Sequence, residues 1–173
     1  MKNGVKKLTV CGLMTALCLI LGYIEHLLPL SLLIPLPGIK LGLSKIALLV
    51  LLLKYGPAYA YGVTALKCTL SALLFGSVTS LAFSLTGGLL AMTAMWLLTA
   101  AFKEKLSVFG VSVAGAVAHN VGQLAAASVI MGSPAVFSYL PLLAVAGAVT
   151  GLATASVTAP VLRLTGYDKE REA

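Results

Sequence analysis

Acidic side chains are nearly missing from this sequence: Asp and Glu together number 5 in 173 residues, and the sole Asp is Asp168. That scarcity excludes the clustered carboxylates that would hold a hard divalent cation on a diphosphate. Charge of either sign is sparse at 10% of residues, whereas 60% are hydrophobic and the mean hydropathy is +1.04. Such a composition excludes a soluble globular domain and reads as an all-α integral membrane protein. The three cysteines, Cys11, Cys18 and Cys68, have no metal-ligand spacing, and an odd number closes no disulfide framework, so they read as packing residues. No phosphate-binding loop, haem or iron–sulfur pattern, or nucleophile triad is present, so no cofactor or metal is expected and ATP hydrolysis in cis is excluded. The formal net charge is +7, but the basic residues sit at the ends of apolar runs rather than in a patch interleaved with aromatics, which argues against nucleic acid.

What is present is a series of apolar runs bounded by charge, Pro or Gly. They predict six transmembrane helices, over residues 8–28, 41–53, 58–75, 80–102, 108–131 and 139–164, in a single membrane domain spanning 1–173. Lys2, Lys6 and Lys7, Lys54, Lys103 and Lys105, and Arg163, Lys169 and Arg171 all fall on one side of such a bundle. The loops on the other side, around 75–80 and 132–138, carry no charge, so the positive-inside rule predicts cytoplasmic termini in a bacterial cell membrane. The run 41–53 is too short to cross ~30 Å of hydrocarbon at ~1.5 Å per residue. It follows Pro29, Pro35 and Pro37, which predict an irregular apolar loop, either interfacial or folded over a cavity as a lid.

Polar groups within the runs are the candidates for function, because a charge deep in the bilayer costs about 2.5 to 3.5 kcal/mol on insertion scales. They are Glu25, Lys45, Lys67, His119, Asn120 and Gln123, with His26 read as interfacial and Lys40 standing just before the second run. Alternating helix direction puts them all at or above mid-depth on the uncharged-loop side. Ser112, Ala116, His119 and Gln123 form one helical stripe with Asn120 beside it, which predicts a common polar face. The alternative is that these groups satisfy one another, Glu25 with Lys45 or Lys67 and His119 with Asn120, as links between helices. Three lysines against one carboxylate suit an anionic or acceptor-rich ligand. No catalytic residue is expected.

The stretches PGIKLGLSKIALLVLLLKYGP (37–57), LLFGS (73–77), SLTGGLLAM (84–92) and VAGAVAHNVGQL (113–124) carry a resemblance to the Gx transporter family. Its members are often labelled heptaprenyl diphosphate synthase component I. That family in turn resembles the substrate-binding S components of energy-coupling factor importers. The resemblance implies six helices, capture of a small anionic or polar micronutrient from outside, and partners encoded elsewhere: a transmembrane coupling protein and two cytoplasmic ATPases. S components dock their coupling protein through small residues on the first helix, and the matching positions here are Gly12 and Ala16. The family label implies the alternative, a non-catalytic accessory subunit that partners a soluble prenyl synthase, or a component of a quinone-linked electron-transfer system.

Overall fold

The computed structural model describes residues 2–27, 42–102 and 106–165. Its elements are α1 (Lys2–Leu27), α2 (Ser44–Tyr55), α3 (Pro57–Phe75), α4 (Val78–Phe102), α5 (Val108–Met131), a 3₁₀ turn (Pro134–Tyr139) and α6 (Leu140–Leu164). Each of the six apolar runs is therefore helical, and no strand occurs among the described residues. Five of the helices are long and apolar enough to cross a membrane. The exception is α2, whose 12 residues reach only about 18 Å.

The position of α2 explains its composition. A helix apolar on every side must be surrounded, and Ala47 to Leu52 are all buried, with Leu49 and Leu51 fully so. It runs along the middle of the bundle against α1, α3 and α6. Gly56 and Pro57 then reverse the chain into α3, Pro57 standing at the first helical position, where its missing N–H costs nothing.

The wall opposite α2 is made by α4, α5 and α6, whose backbones approach closely. A Cβ at Gly122 would lie 2.8 Å from the Gly87 Cα, and one at Gly151 would lie 2.6 Å from the Val113 Cα. Small residues at these crossings bring whole helices into van der Waals contact, the main source of helix association in lipid. At one end of the bundle Lys7 stands 5.5 Å from the Tyr59 ring centroid, and Lys54 Nζ donates to the Thr165 carbonyl, 2.6 Å away, at the C-terminus of α6. The opposite end carries the α3–α4 turn and the 3₁₀ turn. The loop 29–37, read above as either interfacial or a lid, lies outside the described residues, as does Lys40.

The α4–α5 crossing yields a prediction. Gly122→Ala places a methyl against backbone that cannot give way, and the expected loss is about 1 to 3 kcal/mol of stability. Gly12→Ala, where nothing lies within 4 Å of the added carbon, should hold or slightly raise stability through the better helix propensity of alanine; thermal unfolding of both purified variants checks the contrast.

Candidate functional site

A cleft of about 370 Å³ opens between α1, α2, α3, α4 and α5, at the end of the bundle away from the Lys54–Thr165 contact. It exists because α2 starts late. Cys18 Sγ donates to the Ser44 carbonyl (3.5 Å), and Lys67 Nζ donates to Ser44 Oγ (2.9 Å). Both Cys18 and Lys67 lie roughly 12 to 13 Å below the ends of their own helices at ~1.5 Å per residue. The first turn of α2 is thus sunk inside the bundle, and the space above it is the cleft.

The backbone entering α2 is held by a carboxylate. Glu25, only 7% exposed, accepts a hydrogen bond from the Gly42 amide at 2.6 Å. An acidic group beside the unsatisfied amides at a helix start is favoured both as a hydrogen-bond acceptor and by the helix dipole. Gly42 is favoured here by its φ of +76°, and a Cβ at that position would lie 2.8 Å from Cδ and Cε of the flexible Lys45 side chain. The Lys45 side chain therefore folds back over Gly42 into the corner that Glu25 occupies, and Lys45, Lys67 and Glu25 all line the cleft. Among the described residues no buried side-chain nitrogen or oxygen lacks a hydrogen-bond partner, as a low-dielectric interior demands.

The expected polar face of α5 divides in two. Successive residues on an α-helix point about 100° apart, and that angle separates His119 from Asn120. His119 and Gln123 face α4, at Gly87, and line the cleft. Asn120 turns the other way and donates from Nδ2 to the Leu143 carbonyl of α6 (2.6 Å). Ser112 likewise donates to the Gly151 carbonyl of α6 (2.8 Å). The reading of a single stripe is corrected accordingly: Ser112, Ala116 and Asn120, four residues apart, form the seam to α6, and Asn120 is a helix-to-helix link.

Of the residues singled out in the sequence, the structure brings Glu25, Lys45, Lys67, His119 and Gln123 to one cleft. It adds Ser44, Ser71, Ser80 and Ser84, which sequence reasoning passed over, and Cys68, which was read as a packing residue. Serine in a membrane helix is ordinarily satisfied by the carbonyl one turn back, as Ser84 is by Ser80 (2.7 Å), so its presence alone signals little. The available signal was spacing: Lys67, Ser71 and Phe75 recur every fourth residue on α3, and Ser80, Ser84 and Gly88 do so on α4. Gly12 and Ala16 are exposed on the outer face of α1.

The geometry separates two kinds of variant. Asn120→Ala is expected to lower thermal stability by about 0.6 to 1.7 kcal/mol, the range for an interhelical hydrogen bond in a membrane, and to leave ligand retention intact. Lys67→Gln, which also loses the charged donor to Ser44, should abolish ligand retention as well as lower stability, so retention is the readout that separates the two. Thermal unfolding, together with mass spectrometry of small molecules retained by each purified variant, checks the split.

Comparison with known proteins returned one family. A family model described as heptaprenyl diphosphate synthase component I matches residues 14–161, a stretch that includes every residue lining the cleft. No curated protein and no solved structure matched the chain. With the match extending over most of its length, the chain belongs to the heptaprenyl diphosphate synthase component I family.

Proposed function

We propose that this chain is a non-catalytic membrane subunit that works with a separately encoded prenyl diphosphate synthase and holds an anionic ligand in the cleft above α2. The observation that carries ligand binding is the convergence of Lys45, Lys67 and Glu25 at the buried start of α2. Two ammonium groups facing one carboxylate leave a surplus positive charge in a setting of low dielectric, where an anion is attracted far more strongly than in water. The family's description supports the synthase as partner. The division of labour follows from composition: a chain whose one Asp is Asp168 lacks the carboxylates that magnesium-dependent prenyl transfer uses.

A second reading, the substrate-capturing subunit of an energy-coupling factor importer, is favoured by one feature. The cleft opens at the end opposite Lys7, Lys54 and Arg163. By the positive-inside rule, that end faces outward and both termini face the cytoplasm. A coupling protein would dock on α1 at Gly12 and Ala16, and two ATPases would supply the energy.

Affinity purification of the tagged chain from its native membranes in mild detergent, with mass spectrometry of what copurifies, tests both. Recovery of a prenyl synthase without ATPases is the expected outcome. Recovery of a membrane coupling protein with two ATPases, abolished by Gly12→Leu/Ala16→Leu, would replace the first reading with the second.

A further inference from the structure

The side chains that the cleft leaves open are mainly polar. Leu48, Ala91, Met92 and Met95 border it, but none is more than 5% exposed, so they are close-packed core and give an apolar chain nothing to lie against. Apart from Phe75, which ends α3 at the mouth, the lining side chains that keep part of their surface open include Lys45, Lys67, Ser71, Ser80, His119 and Gln123.

Four of these are unpaired. A hydroxyl in these helices ordinarily returns to the carbonyl one turn back, as those of Thr64, Thr69 and Thr86 do. Ser71 and Ser80 depart from that habit. Among the described residues their hydroxyls, the Lys45 ammonium and the Gln123 carboxamide make no hydrogen bond, and no buried side-chain nitrogen or oxygen lacks one, so all four groups reach the open space of the cleft. Lys67 adds two more N–H donors, since only one of its three is directed at Ser44. The lysines offer donors alone and the hydroxyls can do either, whereas Gln123 presents a donor and an acceptor side by side.

Lys67 and Gln123 stand at one level on different walls. A Cβ at Gly88 would lie 3.5 Å from Cys68 Sγ on α3, and one at Gly87, the adjoining residue of α4, would lie 3.0 Å from Gln123 Cγ on α5. Helix α4 therefore sits between Gln123 and the neighbour of Lys67, and the two side chains enter the same cleft from its two sides.

We infer that the cleft takes a compact acid that is polar at both ends, with its anionic group on Lys45 and Lys67 and a neutral amide, lactam or ureide edge paired with the Gln123 carboxamide. Such an edge carries one donor beside one acceptor and answers Gln123 atom for atom. A carboxylate or an alkyl group at that end leaves a polar atom of Gln123 unpaired, the kind of mismatch on which polar sites discriminate most strongly. The volume of about 370 Å³ is near the lower end of the ~300 to 1,000 Å³ of ligand pockets, which keeps the acid small. The inference rests on the reading that the cleft holds an anionic ligand, and it sets that ligand apart from the prenyl substrates of a partner synthase, whose hydrocarbon chain finds no surface here.

Thermal unfolding of the full chain in phosphatidylcholine nanodiscs tests this, because binding to the folded state alone raises the midpoint with occupancy. The probes are two sets matched in length within each set and differing only in their end groups: adipamate with adipate, hexanoate and adipamide, and the shorter succinamate with succinate, butyrate and succinamide. At least one of the two amidates is expected to raise the midpoint by several degrees, more than its dicarboxylate or alkyl counterpart does, and its diamide to leave the midpoint unmoved. Gln123→Leu should reduce the amidate's shift to that of the alkyl acid. Lys67→Gln should abolish the shifts, and Lys67→Arg should keep them. An alkyl acid or dicarboxylate as effective as its amidate would overturn the amide end and leave the anionic ligand standing. A diamide as effective as its amidate would overturn the anionic end and the reading beneath it. A larger shift with geranyl diphosphate than with either amidate would overturn the compact polar ligand. Silence with every probe would overturn the two-ended acid, while the small molecules recovered with the native protein would still decide whether the cleft holds any ligand.

Discussion

The start of α2 inside the bundle, fixed by Glu25 on the Gly42 amide and by Lys67 and Cys18 on Ser44, is the constraint on which the remaining structure depends. A backbone that begins a helix within the bilayer leaves amides without partners, and lipid offers none. The Glu25 carboxylate accepts from the Gly42 amide there, while Lys67 and Cys18 donate to the hydroxyl and the carbonyl of Ser44, and these groups sit together inside the bundle. Those same groups then border the cleft above the short central helix. A helix of 12 residues reaches about 18 Å, and the missing depth to ~30 Å is of the order of the cleft above it.

Around that helix the bundle has two characters. The α4, α5 and α6 wall is joined backbone to backbone through Gly87, Gly122 and Gly151 and tied by Ser112 and Asn120 to α6. This is a rigid surface, and it holds His119, Gln123 and the serines of α4 at fixed positions. The α1 and α3 side supplies the charges. Much of the lower half of α1 is exposed along the face bearing Leu8, Gly12, Leu13 and Leu17, as expected of a helix that meets lipid or a partner. A stiff wall facing charged side chains on other helices is a reasonable construction for a recognition site, since the dipoles that meet the ligand are positioned before it arrives.

Much of this was legible in the residues. Apolar runs located every helix, and the short run 41–53, preceded by prolines, announced that one helix would not cross alone. Glu25, Lys45 and Lys67 stood out because charge in such runs is expensive, and they meet in space. The surroundings of His119 and Asn120 were less legible. Periodicity says that neighbours on a helix diverge by about 100°, but not which of the two directions is cleft and which is packed helix; that depends on where Gly87 and Gly147 stand on other helices. The serines were silent for a different reason, because a hydroxyl in a membrane helix can return to its own backbone, as that of Ser84 does, and so leaves no mark in a sequence.

The central claim, that a water-accessible cleft descends from the membrane surface to the sunken start of α2, is tested most directly by thiol labelling. In a background with Cys11 and Cys68 replaced by Ala and the buried Cys18 kept, Ser71→Cys and Thr69→Cys lie at nearly the same depth on α3. The first faces the cleft and the second the outer surface of the bundle. A small membrane-impermeant thiol reagent, applied in turn to each side of sealed vesicles, should label Ser71→Cys from one side only and leave Thr69→Cys untouched. Equal labelling of the two, or none at Ser71→Cys from either side, would contradict the account.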